Sequence, residues 1–312
     1  MYALDIGGKM INLIRVILVS FTGMQAFLMI SDYSKAKKEN RLEDESLTKS
    51  VMAGMVGNFF DTLGVSSFAV IIAMGKAMKM KFKDKEIPAM LNVSCAIPNI
   101  VEALIFLTAI EVDSITLISM LLAAGTGSYI GSGIVKKLDE KKIQLSMGIA
   151  LFITATVILL GLPWIDLLPV GGESIGLYGN KLIIGVVLNF IYGALMTAGI
   201  GLYAPCMATT YILGMSPKCA FPIMMGSCAV LMPIASTRFI KDGNYPRKTS
   251  LAITIGGVIG VFIAAYIFNS MPMNMIKVLC IFVIYYTSYD MLKKVFKGSL
   301  ENKLKEVNID ME

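Results

Sequence analysis

Apolar residues run in long blocks from one end of the chain to the other, separated by short charged stretches. The first block covers about 10–30 and carries Arg15; a polar linker, SDYSKAKKENRLEDESLTKS, follows it. A second block, from Leu47 to Met78, closes on a basic stretch with lysines at 76, 79, 81, 83 and 85. Three plain blocks come next, at about 88–109, 115–135 and 143–162. Glu111 and Asp113 part the first two, and four lysines within 136–142 part the next two. A loop at 163–180 holds Asp166, Gly171, Gly172 and Glu173 and no basic residue. The blocks then resume at 181–215, 221–239, 250–268 and 275–292, before a polar tail. A helix of roughly 20 apolar residues crosses a ~30 Å hydrocarbon core. The pattern predicts an all-α polytopic membrane protein.

Two blocks are interrupted. In GALMTAGIGLYAPC, residues 193–206, Gly199, Gly201 and Pro205 stand where a continuous transmembrane helix favours Leu or Ala. Glycine is costly inside a helix, and proline removes a donor and clashes with the preceding turn. A break facing lipid would leave backbone groups unpaired at several kcal/mol each, so it belongs inside protein or beside water. The earlier stretch TLGVSSFAV at 62–70 lines up with TAGIGLYAP at 197–205. A second echo follows in the same order: Pro88, Met90 and Ser94-Cys95-Ala96 return as Pro222, Met224 and Ser227-Cys228-Ala229, with a one-residue change of offset.

Charge orders the pieces. Loops 35–49, 76–85, 136–142, 238–248 and the tail are basic, whereas 111–114, 163–180 and 269–274 lack Lys and Arg. The positive-inside rule then puts the basic loops and the C-terminus in the cytoplasm and the N-terminus outside. Segment 47–79 begins and ends inside; 181–218 begins and ends outside. Each therefore crosses an even number of times, as a re-entrant hairpin or as two short bent helices. The expected architecture is two inverted-topology repeats, each a broken helix pair followed by three spans, plus an extra N-terminal helix. The divisions are 1–46 (helix and cytoplasmic linker), 47–163 (repeat 1), 164–180 (extracytoplasmic loop), 181–293 (repeat 2) and 294–312 (polar cytoplasmic tail).

Composition sharpens this. The chain is 56% hydrophobic and only 16% charged, where soluble domains carry about 25% charged residues. Histidine is absent, which removes the commonest metal ligand and proton switch. Cys95, Cys206, Cys219, Cys228 and Cys280 have no CxxC spacing, so neither a zinc site nor a disulfide framework is expected. The net charge of +6 sits in a few loops; it reports topology, not nucleic-acid binding. The first block lacks an A-x-A-like cleavage site and reads as a retained helix, not a signal peptide.

The paired breaks are the sequence pointer to a transporter's binding site. Half-helices restarting near Ser66 and near 204–205 would aim free N–H groups and dipole ends at mid-membrane. Ser66 or Ser67 suits an N-cap, and Pro205 the first helical position. Two such ends make an anion site without a buried Lys or Arg; the bland alternative is that the glycines merely allow close helix packing. Asp61 and Glu102 lie deepest in apolar sequence, where a charge costs at least ~2.5 kcal/mol. Asp61 is the candidate carrier of a coupling proton, or else it bonds backbone groups freed by the break; Glu102 reads as structural. The candidate substrate-binding set is Asn58, Gly64, Ser66, Ser67, Asn92, Ser94, Thr197, Gly199, Gly201, Tyr203, Pro205, Cys206, Gly226 and Ser227. Several of these would otherwise serve as interhelical glue.

GNFFDTLGVSSFA at 57–69 and GIGLYAPCMATTYILGMSPKCAFPIMMGSCA at 199–229 resemble the sulfite exporter TauE/SafE family, or TSUP permeases. The resemblance covers nearly all of the chain after the first helix, which looks like an addition to the usual core. Ser66, Ser67 and Val70 stand where many members have Gly, Gly and Pro. What the resemblance implies is a cell-membrane permease for small sulfur-containing or organic anions such as sulfite or an organosulfonate. With the breaks, that gives a secondary transporter working by alternating access, with Asp61 as the candidate for a coupling proton and no cofactor expected. Its partners are a small anion and the lipid bilayer, with oligomeric state left open. The alternatives are a cation pathway using Asp61 and Glu102, and an intramembrane enzyme. The latter is disfavoured: there is no HExxH, no Ser–His or Cys–His pair and no paired transmembrane aspartates.

Overall fold

The computed structural model describes the backbone of residues 2–83, 86–135, 140–162, 165, 172–196 and 201–309. Among these residues eleven α-helices follow one another: α1 (Tyr2–Lys38), α2 (Leu47–Thr62), α3 (Ser67–Ala77), α4 (Ile87–Ala109), α5 (Ser114–Val135), α6 (Glu140–Leu160), α7 (Asn180–Met196), α8 (Tyr203–Ile212), α9 (Ala220–Asp242), α10 (Arg247–Ser270) and α11 (Met273–Ile309). Six of them are long and apolar enough to cross a membrane. Large apolar side chains such as Leu13, Phe27, Leu122, Phe152, Val187, Phe262 and Phe282 are exposed along the outer helix faces, as a lipid solvent requires. Two extents differ from the sequence expectation. α1 reaches Lys38 instead of stopping near 30, and the polar stretch after 293 continues α11 as helix to Ile309.

α4 and α9 are the central helices, buried over most of their apolar length, whereas α1 and α6 are largely exposed. Phe106, Phe221 and Phe268, from α4, α9 and α10, close one end of this centre with ring centroids 4.4–5.4 Å apart. α2 packs along α10, and α5 along α7. Both crossings are made by glycine: a Cβ at Gly54 would collide with the Ile253 carbonyl, and one at Gly193 with the Ala124 carbonyl. Small residues let backbones approach in this way where lipid offers no hydrophobic drive. α2 accordingly buries a small and polar stripe, Ser50, Ala53, Gly54, Gly57, Asn58, Asp61 and Thr62, at helical spacing.

The broken segments are hairpins. α3 has 11 residues and α8 has 10, about 15–17 Å at 1.5 Å per residue, too short for a ~30 Å core. At the base of the first, Lys49 Nζ at the start of α2 donates to the Met78 carbonyl beyond α3 at 2.9 Å. The Lys81 N–H donates to Glu45 at 2.7 Å. At the base of the second, the Ser216 N–H after α8 donates to the Ser174 carbonyl before α7 at 2.9 Å.

Each base is tied to a different end of the α4–α9 pair. Near the first base, Glu43 caps the Thr249 N–H at 2.6 Å and Asp32 pairs with Arg247 at 2.7 Å and Tyr245 at 2.8 Å. Burial, with Asp32 beside it, pushes the Tyr245 phenol well above its ordinary pKa, so it stays a donor. Near the second base, the Asp113 N–H donates to the Ile175 carbonyl at 2.9 Å and Cys219 Sγ to the Glu111 carbonyl at 3.5 Å. Residues 110–113 follow the last turn of α4, whereas 87 starts it.

Candidate functional site

Gly64 makes the first tip. It has φ +95°, a conformation that glycine adopts without penalty. Its N–H bonds the Asp61 carbonyl at 2.7 Å and the Val65 N–H reaches back to the Phe60 carbonyl at 2.9 Å. This is a Schellman closure, which ends α2 and frees the chain to turn. α3 then restarts at Ser67. Ser66 holds the N-cap position but its hydroxyl caps nothing. The expected serine cap is replaced by a carboxylate: Asp61 Oδ1 accepts the Ser67 N–H at 2.6 Å. A full charge there suits the positive end of the helix dipole better than a hydroxyl does.

Around Asp61 a polar cluster is sealed inside the protein. Asn99 Nδ2 on α4 donates to Asp61 Oδ2 at 2.6 Å and lies 3.1 Å from Glu102 Oε2. The Tyr203 hydroxyl, from the first residue of α8, donates to Asp61 Oδ2 at 3.1 Å. The Thr62 hydroxyl lies 2.9 Å from Glu102 Oε1 and 2.8 Å from the Asn58 carbonyl. Asp61, Thr62, Asn99 and Glu102 are all at most 2% exposed. Among the described residues no ion pair reaches either carboxylate. The Tyr203–Asp61 bond is thus where the two hairpin tips touch, beside the middle of α4.

The other candidate residues fall around this point unevenly. Ser67, Tyr203 and Asp61 are in the cluster itself. Asn58 is one turn away on α2, buried, with its Nδ2 on the Gly54 carbonyl and its Oδ1 unpaired. Gly64 is buried against Met207 and Val283, whereas Ser66 and Gly201 are exposed and a Cβ at Gly201 would meet open space. Thr197 and Gly199 lie outside the described residues. Asn92 sits nearer the first hairpin's base, its Nδ2 on the Pro88 carbonyl. The Ser94 carbonyl accepts from Thr254, and Ser227 accepts from Asn189 at 3.2 Å; both serines are helix-to-helix ties. Gly226 packs on Leu121. Of the two echoed cysteines, Cys228 lies against the end of α7, its Sγ 3.7 Å from Met196 Sδ, and Cys95 is buried in α4.

Pro205 is the third residue of α8, not the first, still within the turn where a missing N–H costs nothing. With Tyr192 and Thr209 it lines a cavity of ≈ 250 Å³ between α6, α7 and α8. That cavity is mostly apolar and none of the Asp61 cluster lines it; Cys206 is buried in the core beside it. Asn99 and Thr62 carry no expectation from the sequence, and Glu102 reads there as structural, or as part of the alternative cation pathway with Asp61. The spacing of Asn99 and Glu102, i and i+3 on one apolar helix, was the available signal.

The family model described as sulfite exporter TauE/SafE matches residues 3–158 and 182–309. The match takes in α1, so the helix expected to be an addition lies inside the family's range. No curated protein and no solved structure matches the chain. With the family match spanning both hairpins and nearly all of the helical bundle, the chain belongs to the sulfite exporter TauE/SafE family of membrane transporters.

Proposed function

We propose that the protein is a secondary transporter moving a small sulfur-containing or organic anion, such as sulfite or an organosulfonate, across the cytoplasmic membrane by alternating access. The observation that carries this is the meeting of two hairpin tips at Asp61 and Tyr203. Hairpins rooted at opposite ends of α4 form an inverted repeat, and rocking one repeat against the other opens a shared central site to each face in turn. The C-terminus and loop 238–248 are cytoplasmic in this reading. Reaction of Asn244→Cys with an impermeant thiol reagent on intact cells would contradict it.

The anion binds on the α8 side. That helix starts without a side-chain cap, Gly201 leaves open space before it, and its first N–H groups carry the positive dipole end. Two ionised carboxylates a few ångströms off would oppose this: like charges ~5 Å apart repel by ~3 kcal/mol at an effective dielectric of ~20. A proton held by the Asp61–Asn99–Glu102 network therefore travels with the anion.

Proteoliposomes given labelled sulfite, an organosulfonate or sodium, each with and without a proton gradient, test this. Gradient-driven anion accumulation is expected. The unpaired carboxylates also favour a cation pathway as a second reading, and sodium uptake independent of any anion would put it in place of the first.

A further inference from the structure

The geometry points to Glu102 as the group that takes up and releases the coupling proton, with the Thr62 hydroxyl as a rotor that follows its charge. This rests on the proton-coupled reading above and assigns the proton to one atom within it. The two carboxylates differ in what surrounds them. Asp61 already takes three donors: the Ser67 N–H at 2.6 Å on Oδ1, and Asn99 at 2.6 Å and Tyr203 at 3.1 Å on Oδ2. The Ser67 amide cannot become an acceptor. An added proton on Asp61 Oδ2 would leave the Ser67 N–H on Oδ1 but would displace Asn99 or turn round the Tyr203 hydroxyl that joins the two tips.

Glu102 faces a group that can reverse. A hydroxyl is at once one donor and two acceptor positions, and the single hydrogen of Thr62 has two acceptors in reach, Glu102 Oε1 at 2.9 Å and the Asn58 carbonyl at 2.8 Å. With Glu102 ionised, the Thr62 O–H points at Oε1. When a proton arrives on Oε1, that new O–H donates to Thr62 Oγ, and the Thr62 hydrogen turns to the Asn58 carbonyl. Oε2 keeps its Asn99 donor throughout. Both states are fully hydrogen-bonded, so the proton enters and leaves with one hydroxyl rotation and no orphaned group. Because Thr62 is the last residue of α2, the rotor sits at the hinge of the first hairpin.

Among the described residues, few titratable groups lie near Glu102. Asp61 faces it from α2 and Tyr203 from α8, with Cys228 on α9 and Cys95 on α4 itself. From α1, Arg15 spends its guanidinium on the Leu107 carbonyl and Asn12. On α10, Arg247 and Lys248 lie in the first turn and Tyr266 is exposed. On α9, Arg238, Lys241 and Asp242 lie in the final turns.

The test uses the full chain in proteoliposomes with radiolabelled sulfite, plus infrared titration of the carboxyl C=O band. Glu102→Gln is expected to lose gradient-driven accumulation and keep sulfite counterflow, which needs no net proton movement. The pH-dependent carboxyl band should vanish in Glu102→Gln, persist in Asp61→Asn, and move in Thr62→Val, which keeps the charge and removes the rotor. Accumulation retained in Glu102→Gln would overturn the inference. So would a band that survives there and disappears in Asp61→Asn, or one unmoved by Thr62→Val. Wild-type counterflow with no response to a proton gradient would overturn it and leave the anion reading standing. Absence of wild-type counterflow would remove the anion reading, while the infrared bands still report on Glu102 and Thr62.

Discussion

The two hairpins share a plan and differ at their tips. Each has a longer arm, α2 or α7, a break, and a half-helix too short to span a bilayer. In the first, the tip is closed: Asp61 occupies the N-terminus of α3 and takes Asn99 and Tyr203 as further donors, while Thr62 and Asn99 donate to Glu102 beside it. In the second, the aligned position of Asp61 is Met196, α8 begins uncapped, and Gly201 opens onto free space. In the proposed reading one half carries the negative charge and its proton, the other keeps its dipole end free for an anion, and a coupled transporter gains from that inequality.

The comparison can be broken or sharpened by substitution. The largest effect is expected at Asp61. Asp61→Ala would leave the Ser67 N–H, the Asn99 amide and the Tyr203 hydroxyl without their buried acceptor. It should lower stability by about 3 kcal/mol or more, read as the melting temperature in detergent. A loss of less than about 1 kcal/mol would erase the distinction between the tips. Next come the two glycines. Gly64→Ala forces a side chain onto φ +95° and should cost about 1–2 kcal/mol. Gly201→Ala meets open space and should stay within about 0.5 kcal/mol of wild type. Equal costs would mean that the second tip is as tightly built as the first. Tyr203→Phe removes one bond between the tips and should cost about 1 kcal/mol, with the Asp61→Asn and Tyr203→Phe effects less than additive. Smallest of all, Ser66→Ala should be neutral within about 0.5 kcal/mol, since the hydroxyl caps nothing; a clear loss would restore serine as the cap.

Much of this was legible in the residues, and what was not has identifiable causes. The spans were readable because each is a long apolar run, and the breaks because Gly64 interrupts one. The charge pattern leads to the expectation that each broken segment returns to its starting side, but it does not separate a hairpin from two short crossings. The 11 and 10 residues of α3 and α8, too short for a full crossing, favour the hairpin. Asp61 was picked out by its place in apolar sequence. Its partner Asn99 was not, because the contact joins residues 38 apart on different helices. The serines were chosen by local capping preference, which a nearby carboxylate overrode. The extra length of α1 and α11 escaped because their charged ends continue as helix beyond the apolar block.

The central claim is that an anion binds between unequal tips, on the α8 side. Substrate protection tests it most directly. Cysteines introduced singly as Gly201→Cys and Asn92→Cys, in a chain whose five buried native cysteines are replaced, are treated with a small thiol reagent with and without sulfite. The account predicts that sulfite slows modification at position 201 and leaves position 92, nearer the first hairpin's base, unchanged. Equal rates at position 201 with and without sulfite, in protein that transports sulfite, would contradict it.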